Sequence, residues 1–302
     1  MRPCLLVLAA GIGSRYGGLK QLDTFGPSGE KILDYTIFDA IRIGFEKVVF
    51  VIRKEFEQDF KKELSSKFDK RIEVSFVYQE LEMVPKGVKV PPEREKPWGT
   101  AHAVLVAATK IKEPFVVLNS DDFYGQESIK IAFDYLSSLD NRDEKNYCIV
   151  GYKVSNTLSE HGAVSRGVCE TDTVGNLISI TERKQIFRKD DKIVFIDEEG
   201  SLIQIGHDIM VSMNLMGFTP SIFKHLDSYV EHFIRTYSHD NKKESLLPES
   251  VNEVVSRGKT IVKILPTNAE WFGVTYREDR ELVARKINEL HENGIYPQKL
   301  WI

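Results

Sequence analysis

Leu5-Leu6-Val7-Leu8-Ala9-Ala10-Gly11-Ile12-Gly13-Ser14-Arg15-Tyr16-Gly17-Gly18-Leu19-Lys20-Gln21 is the stretch on which the reading of this chain turns. An apolar, β-prone run feeds directly into a loop that holds four glycines, one arginine and one lysine. Glycines at several loop positions let backbone N–H groups turn inward around a bound anion. Arg15 and Lys20 put fixed positive charge at the same place. The combination predicts a strand–loop–helix unit that holds a polyphosphate.

Two common phosphate loops do not fit. A Walker A loop needs Gly-Lys followed by Ser or Thr, whereas Gly18 is followed by Leu19-Lys20-Gln21. The dinucleotide fingerprint G-x-G-x-x-G is met by Gly11 and Gly13, but Tyr16 stands where its third glycine belongs. The second apolar run, Val48-Val49-Phe50-Val51-Ile52, ends in Arg53-Lys54 with no acid placed for a ribose. On these residues alone, a charged surface turn remains an equal alternative.

Downstream, strand-like and helix-like segments alternate, which predicts a mixed, mostly parallel sheet flanked by helices. Strands are expected at 4–9, 47–52, 72–78, 115–119 and 146–152, with helices near 32–43, 54–67, 100–110 and 126–139. The second half is less regular. It reads as strands at 162–169, 176–181, 210–217 and 259–264, a hairpin over 192–205, and helices near 219–237, 245–257 and 277–293. No linker separates the halves. The expectation is one domain over 1–302, built of a first half at 1–152 and a second, C-terminal helical part at 153–302.

Composition bounds the class. Apolar residues at 42% and charged residues at 28% of 302 are ordinary for a globular chain. A net charge of −4 argues against a nucleic-acid or membrane surface as partner. No apolar run reaches spanning length, and no signal peptide is expected at a start that reads as a strand. Cys4, Cys148 and Cys169 are scattered singly among apolar residues. They read as core thiols in a reducing, cytoplasmic setting. The sequence is compatible with a homo-oligomer and does not fix the number of subunits.

Asn119-Ser120-Asp121-Asp122-Phe123-Tyr124-Gly125 follows the apolar run 115–118. Ligands of open α/β sheets bind at the carboxyl ends of strands, and paired carboxylates there suit a hard divalent cation. A helix cap explains the same aspartates equally well. Trp98-Gly99-Thr100-Ala101-His102-Ala103-Val104 places a glycine at a helix start, where a flat base can approach the backbone. Gln79, at a strand end, offers an amide donor and acceptor together. His102 reads as structural.

The L-A-A-G-x-G-x-R-x(n)-K-Q loop resembles that of the nucleotidyltransferases that make nucleoside-diphosphate sugars and related activated compounds. The resemblance extends over roughly 5–218, through the Gly-Thr-Ala-x-Ala-Val and Asp-Asp-Phe-Tyr-Gly segments. It implies a Rossmann-like fold of the GT-A type and Mg²⁺-dependent transfer of an NMP group from an NTP to a phosphorylated acceptor, a sugar 1-phosphate in the first instance. It makes 1–152 an NTP-binding half and 153–302 an acceptor-binding and C-terminal helical part, with an appended acceptor-binding lobe. By position, Ala9, Ala10, Gly11, Gly13, Gln79, Gly99 and Thr100 would bind the nucleotide. Arg15 and Lys20 would hold its phosphates, and Asp121 the metal. Gly162, Glu182 and Asn214 would meet the acceptor, with Arg183 on its phosphate.

Two departures qualify the match. The short Arg-to-Lys spacing looks like that of molybdopterin guanylyltransferases. Glu270-Trp271-Phe272-Gly273-Val274 carries Gly273 where sugar-nucleotide members have W-x-D-x-G, whose Asp is a second metal ligand. Asp279, Asp208 and Asn214 are the substitutes that the sequence offers. A cytidylyltransferase or guanylyltransferase for a non-sugar phosphate, and a non-catalytic nucleotide-sugar-binding regulator, are the competing readings.

Overall fold

The computed structural model describes residues 2–11, 23–68, 71–140, 143–258, 260–274, 276 and 278–301. Most of the glycine loop, including Gly13, Arg15 and Lys20, lies outside the described residues.

The first half builds a parallel core. Strands β1 (Cys4–Leu8), β2 (Lys47–Ile52), β3 (Glu73–Tyr78) and β4 (Phe115–Asn119) lie in the order β3-β2-β1-β4. Their neighbours pair in parallel, with Leu8 opposite both Val51 and Asn119. β1, β2 and β4 are apolar on both faces, as expected when helices cover both sides, whereas the edge strand β3 carries Glu73 and Ser75 on one face. Leu6, Val49, Val51 and Val117 point to one core, and Leu5, Val7, Phe50 and Leu118 to another. The second core is closed by α1 (Ile32–Ile43), α2 (Glu57–Phe68) and α4 (Gln126–Ser138). The first is closed by α3 (Thr100–Leu105), α5 (Ile222–Tyr237) and α6 (Leu247–Ser256). Cys4, Cys148 and Cys169 are buried and free.

Strands from the second half enter the same sheet. β11 (Met210–Phe218) pairs antiparallel with β4 through Met216–Phe218, and with β7 (Val164–Thr171) through Val211 and Ser212. Its other neighbour is β6 (Asn146–Lys153), which pairs in parallel with β12 (Ile261–Thr267). Beyond β7, the strands β8 (Leu177–Lys189), β9 (Lys192–Ile196) and β10 (Leu202–Ile205) continue as an antiparallel arm. Eleven strands therefore form one mixed sheet, parallel at its centre and antiparallel in the arm.

The break in β11 makes the cleft. Its register shifts between Ser212 and Met216, and Asn214 within that bulge has φ of 62°. β4 and β7 take different lengths of β11, so the sheet parts between them, and a bulge is a common means of re-aiming a strand beside a site. A short ladder of β5 (Asp122–Phe123) and β13 (Phe272–Gly273) adjoins this gap, with Asp122 and Trp271 on its walls. A third apolar cluster, with Tyr35, Phe123, Phe272, Tyr296 and Leu300, ties α1 and the final helix α7 (Asp279–Glu292) to that ladder. Among the described residues, no helix is long and apolar enough to cross a membrane.

Candidate active site

The exits of β1 and β4 are neighbours. Ser120 N–H donates to the Leu8 carbonyl at 3.1 Å, so the Ala9-Ala10-Gly11 start of the loop and the Asp121-Asp122 pair share one edge of the sheet. Ala9 and Ala10 are buried and Gly11 is exposed. Beside them opens a cavity of about 510 Å³ between β4, the β11 bulge, the β7–β8 hairpin and the start of α6. Thr100, Asn119, Asp122, Arg166, Glu182, Asn214, Glu249 and Trp271 are among its walls.

Of the residues singled out from sequence, Thr100, Glu182 and Asn214 meet in this cavity. Glu182, paired opposite Gly167 through the backbone, is exposed and lines it, and its side chain makes no hydrogen bond or ion pair among the described residues. Asp121 is half-buried and adjoins the cavity through Asp122, which lines it. Asp122 is held by two donors: Asn119 Nδ2 at 2.9 Å and the Tyr124 hydroxyl at 3.2 Å reach its Oδ2. Tyr124 Oη accepts from Asn119 N–H at 3.1 Å and lies 3.0 Å from the Met213 carbonyl, so one buried phenol links β4, the carboxylate and the β11 bulge.

Gln79 and Gly99 are also brought together, by Gln79 Nε2 donating to the Gly99 carbonyl at 2.9 Å. Gly99 has φ of 103°, and a Cβ there would lie 2.4 Å from the Ser245 carbonyl oxygen. In this structure the close approach that requires the glycine is therefore that of Ser245, which accepts from Ala101 N–H at 2.9 Å and donates its own N–H to Trp98 O at 2.8 Å. His102 is buried within 3.2 Å of Gln79, and burial pulls its pKa down to about 4, so the ring is neutral at physiological pH.

Two of the acceptor candidates lie apart from the cavity. Gly162 packs on Tyr276, whose ring a Cβ at 162 would meet at 3.0 Å. Arg183 follows Glu182 on β8 and therefore faces the other way. Its guanidinium lies 5.0 Å from the Phe195 ring centroid and lines a separate groove with Thr171, Asp208 and Met210.

Sequence reasoning missed Arg166, Asn119, Trp271 and Glu249 as cavity walls. Trp271 and Asn119 stood inside quoted motifs; Arg166 and Glu249 carried no signal. Arg166 is buried, with its guanidinium 4.7 Å from the Trp271 ring centroid. It donates to the Thr157 hydroxyl at 3.2 Å, to the Thr157 carbonyl, and to the Ser165 carbonyl at 2.9 Å. Burial lowers its pKa to about 10, while the charges of Asp122 and Asp279 work to raise it; it remains a cation at neutral pH.

The donor set suits Mg²⁺. Among the described residues no three His, Cys, Asp or Glu side chains converge, but Mg²⁺ is typically held by one or two carboxylates together with substrate phosphates. Asp121 and Asp122 offer such a pair. Of the substitutes for a carboxylate at 273, Asp279 accepts from Tyr276 N–H at 2.7 Å and Ser159 Oγ at 3.0 Å, and Asp208 pairs with Lys153 outside the cleft. Asn214 alone of the three lines the cavity.

A family model described as nucleotidyl transferase matches residues 5–274. The chain belongs to the nucleotidyl transferase family. It is similar to the bifunctional protein GlmU of Methanococcus maripaludis, 28% identical over 165 residues, which cover 51% of this chain and 35% of that protein. Most of that relative therefore lies outside the match. Among solved structures, the inositol-1-phosphate CTP transferase from T. maritima superposes with a TM-score of 0.61 at 17% identity, covering 95% of this chain and 97% of that one. A putative glucose-1-phosphate thymidylyltransferase from Bacillus anthracis, in complex with a sucrose, superposes with a TM-score of 0.63 at 13% identity, covering 94% and 95%. At these identities the nucleotidyltransferase shares a fold with both.

Proposed function

We propose that this nucleotidyltransferase moves an NMP group from an NTP to a phosphorylated small molecule, a sugar 1-phosphate or a related polyol phosphate, and releases pyrophosphate. An oxygen of the acceptor phosphate forms a bond to the α-phosphorus in line. The α–β bridging bond breaks, and its electron pair leaves with pyrophosphate. The observation that carries this reading is that Asp122, Glu182, Asn214 and Thr100 line one cavity that opens where β1 delivers the glycine loop.

In this scheme Arg15 and Lys20 neutralise the leaving pyrophosphate, and Asp121 with Asp122 holds Mg²⁺. Mg²⁺ bound there would supply neutralisation of the phosphate charge around the reacting phosphorus. Asn119 and Tyr124 fix the Asp122 carboxylate, so its charge needs no reorientation as negative charge builds up. Gln79 and Gly99 border the base. Glu182 and Asn214 accept from and donate to acceptor hydroxyls. The protein forms no covalent bond in this scheme; positioning and charge neutralisation carry the rate.

The test is pyrophosphate release measured for each NTP against a panel of sugar 1-phosphates, myo-inositol 1-phosphate and non-sugar alcohol phosphates. Turnover confined to CTP with a polyol or alcohol phosphate assigns a cytidylyltransferase. No turnover with any pair removes the transfer reading. Lys20→Ala should lower turnover by about 10²–10³-fold if the loop holds the phosphates.

A further inference from the structure

We infer that Arg166 is the residue that grips the acceptor's phosphate, an inference that rests on the transfer reading above. The nucleophilic phosphate must come within about 3–3.5 Å of the α-phosphorus, which the proposed scheme puts beside the carboxylates that follow β4. A cation that holds it must therefore stand in the same cavity as Asp122. Among the described residues, Arg166 is the only Lys or Arg that lines that cavity.

The surroundings of Arg166 fit this role. Its guanidinium is fixed on two sides, by the Trp271 ring and by the Thr157 and Ser165 oxygens. These contacts use three of its five N–H groups and leave others for an anion. A guanidinium held in place loses little freedom when it binds, and its planar fork matches two phosphate oxygens. Asp122, whose charge acts on Arg166, would bring its carboxylate, with any cation bound to it, to the same anion. Arg183, the candidate by motif position, stands over Phe195 in the neighbouring groove.

The alternative is that Arg166 only fastens the turn at Thr157 to β7. The two roles separate in steady-state kinetics, with the acceptor that gives the highest turnover in the wild-type panel. Arg166→Gln should raise the acceptor KM about 10- to 100-fold, the range for losing charge-assisted hydrogen bonds, with the NTP KM within about twofold of wild type. Arg166→Lys should recover part of the loss. A purely structural residue would instead lower the melting temperature and the active fraction with both KM values unchanged.

An unchanged acceptor KM in folded Arg166→Gln overturns the inference, as does a larger rise in Arg183→Ala. If the Arg166 variants do not fold, a crystal of the wild-type protein with the same acceptor decides. Its phosphate within 3.5 Å of the Arg166 guanidinium supports the inference, and its phosphate beside Arg183 overturns it. A wild-type chain with no turnover on any phosphorylated acceptor overturns the transfer reading itself, and this inference falls with it. Active wild type with an unaffected Arg166 variant overturns this inference alone.

Discussion

Gly273 faces Asp122 across the β5–β13 ladder, and a Cβ built on Gly273 would lie 2.7 Å from Asp122 Oδ1. The carboxylate of one strand thus occupies the space that a side chain from the other would need. This is the physical content of the departure from W-x-D-x-G: a second carboxylate is present at this corner, carried on the neighbouring strand.

It follows that placing the family's aspartate back at this position should harm the protein. Gly273→Asp brings a second buried carboxylate against Asp122 and crowds a packed corner, an overpacking cost of about 1–3 kcal/mol before any charge repulsion. Denaturant unfolding should give lower stability, and pyrophosphate release should fall below wild type. Wild-type stability together with raised turnover in Gly273→Asp would contradict this account of the corner.

The second close approach, Gly99 on Ser245, yields a sharper expectation. Gly99 sits at φ of 103° with backbone atoms of Ser245 under 3 Å from where a Cβ would stand. Neither the conformation nor the space admits a side chain. Gly99→Ala should cost roughly 1–3 kcal/mol or more. It should also pull the start of α3 away from Ser245, which the Ala101 N–H and the Thr100 hydroxyl hold through bonds to Ser245 O and Leu247 N–H. Because Thr100 lines the cavity, the NTP KM should rise along with the loss of stability. The check is urea unfolding alongside initial rates. A Gly99→Ala protein with wild-type midpoint and KM would show that the Ser245 contact gives way at no cost.

How much of this was legible beforehand depended on which residues make local contacts. The strands of the first half are continuous apolar runs ended by turns, and their bounds agree with the expected ones to within a residue or so. β8 was harder. The expected strand ends at 181, but the strand runs to Lys189 through Glu182-Arg183-Lys184, which is exposed and held by pairing with β7, where Gly167 faces Glu182 and Arg166 faces Arg183, not by burial. Charge there reads as loop because backbone pairing leaves no hydrophobic signature. The cavity followed the same rule. Glu182 and Asn214 were visible through motif order, whereas Arg166 and Glu249 reach the cleft only through β7–β8 pairing and the docking of α6, which bring together residues far apart in the chain.

A pH effect arises far from the cleft, in the cluster that ties α7 to α1. Asp39 is buried beneath Tyr296, whose hydroxyl donates to Oδ2 at 2.6 Å, while Oδ1 has no hydrogen-bond partner among the described residues. Burial raises its pKa to about 7, against the opposing effects of the Tyr296 hydrogen bond and the Arg42 charge. The fold therefore prefers the neutral acid. Its contribution to stability is complete below the unfolded pKa near 4 and is lost as pH rises through about 7. Wild-type unfolding free energy should fall by a few kcal/mol at most between about pH 4 and 8 from this group. Asp39→Asn keeps an acceptor for Tyr296 and should flatten that slope. The comparison is guanidinium unfolding of both proteins at pH 5 and pH 8; equal slopes would mean that Asp39 stays ionised in the fold.

The two adjacent aspartates should differ in what their loss damages. Asp121 is half-buried, whereas Asp122 is buried and holds Asn119 and Tyr124 at the edge of the β11 bulge. Asp121→Asn should lower Mg²⁺-dependent turnover by about 10²–10³-fold. Mn²⁺ binding, read by electron paramagnetic resonance in the presence of NTP, should weaken in parallel. Asp122→Asn should lower both turnover and stability, the latter by about 1–3 kcal/mol, because an amide puts a donor N–H or a weaker acceptor where two donors now meet one carboxylate oxygen. Crystals of the folded variant should show the Met213–Asn214 bulge displaced, since Tyr124 also lies 3.0 Å from the Met213 carbonyl. If Asp122→Asn keeps full stability and loses Mn²⁺ while Asp121→Asn binds it normally, then Asp122 is the principal metal ligand and Asp121 is the bystander.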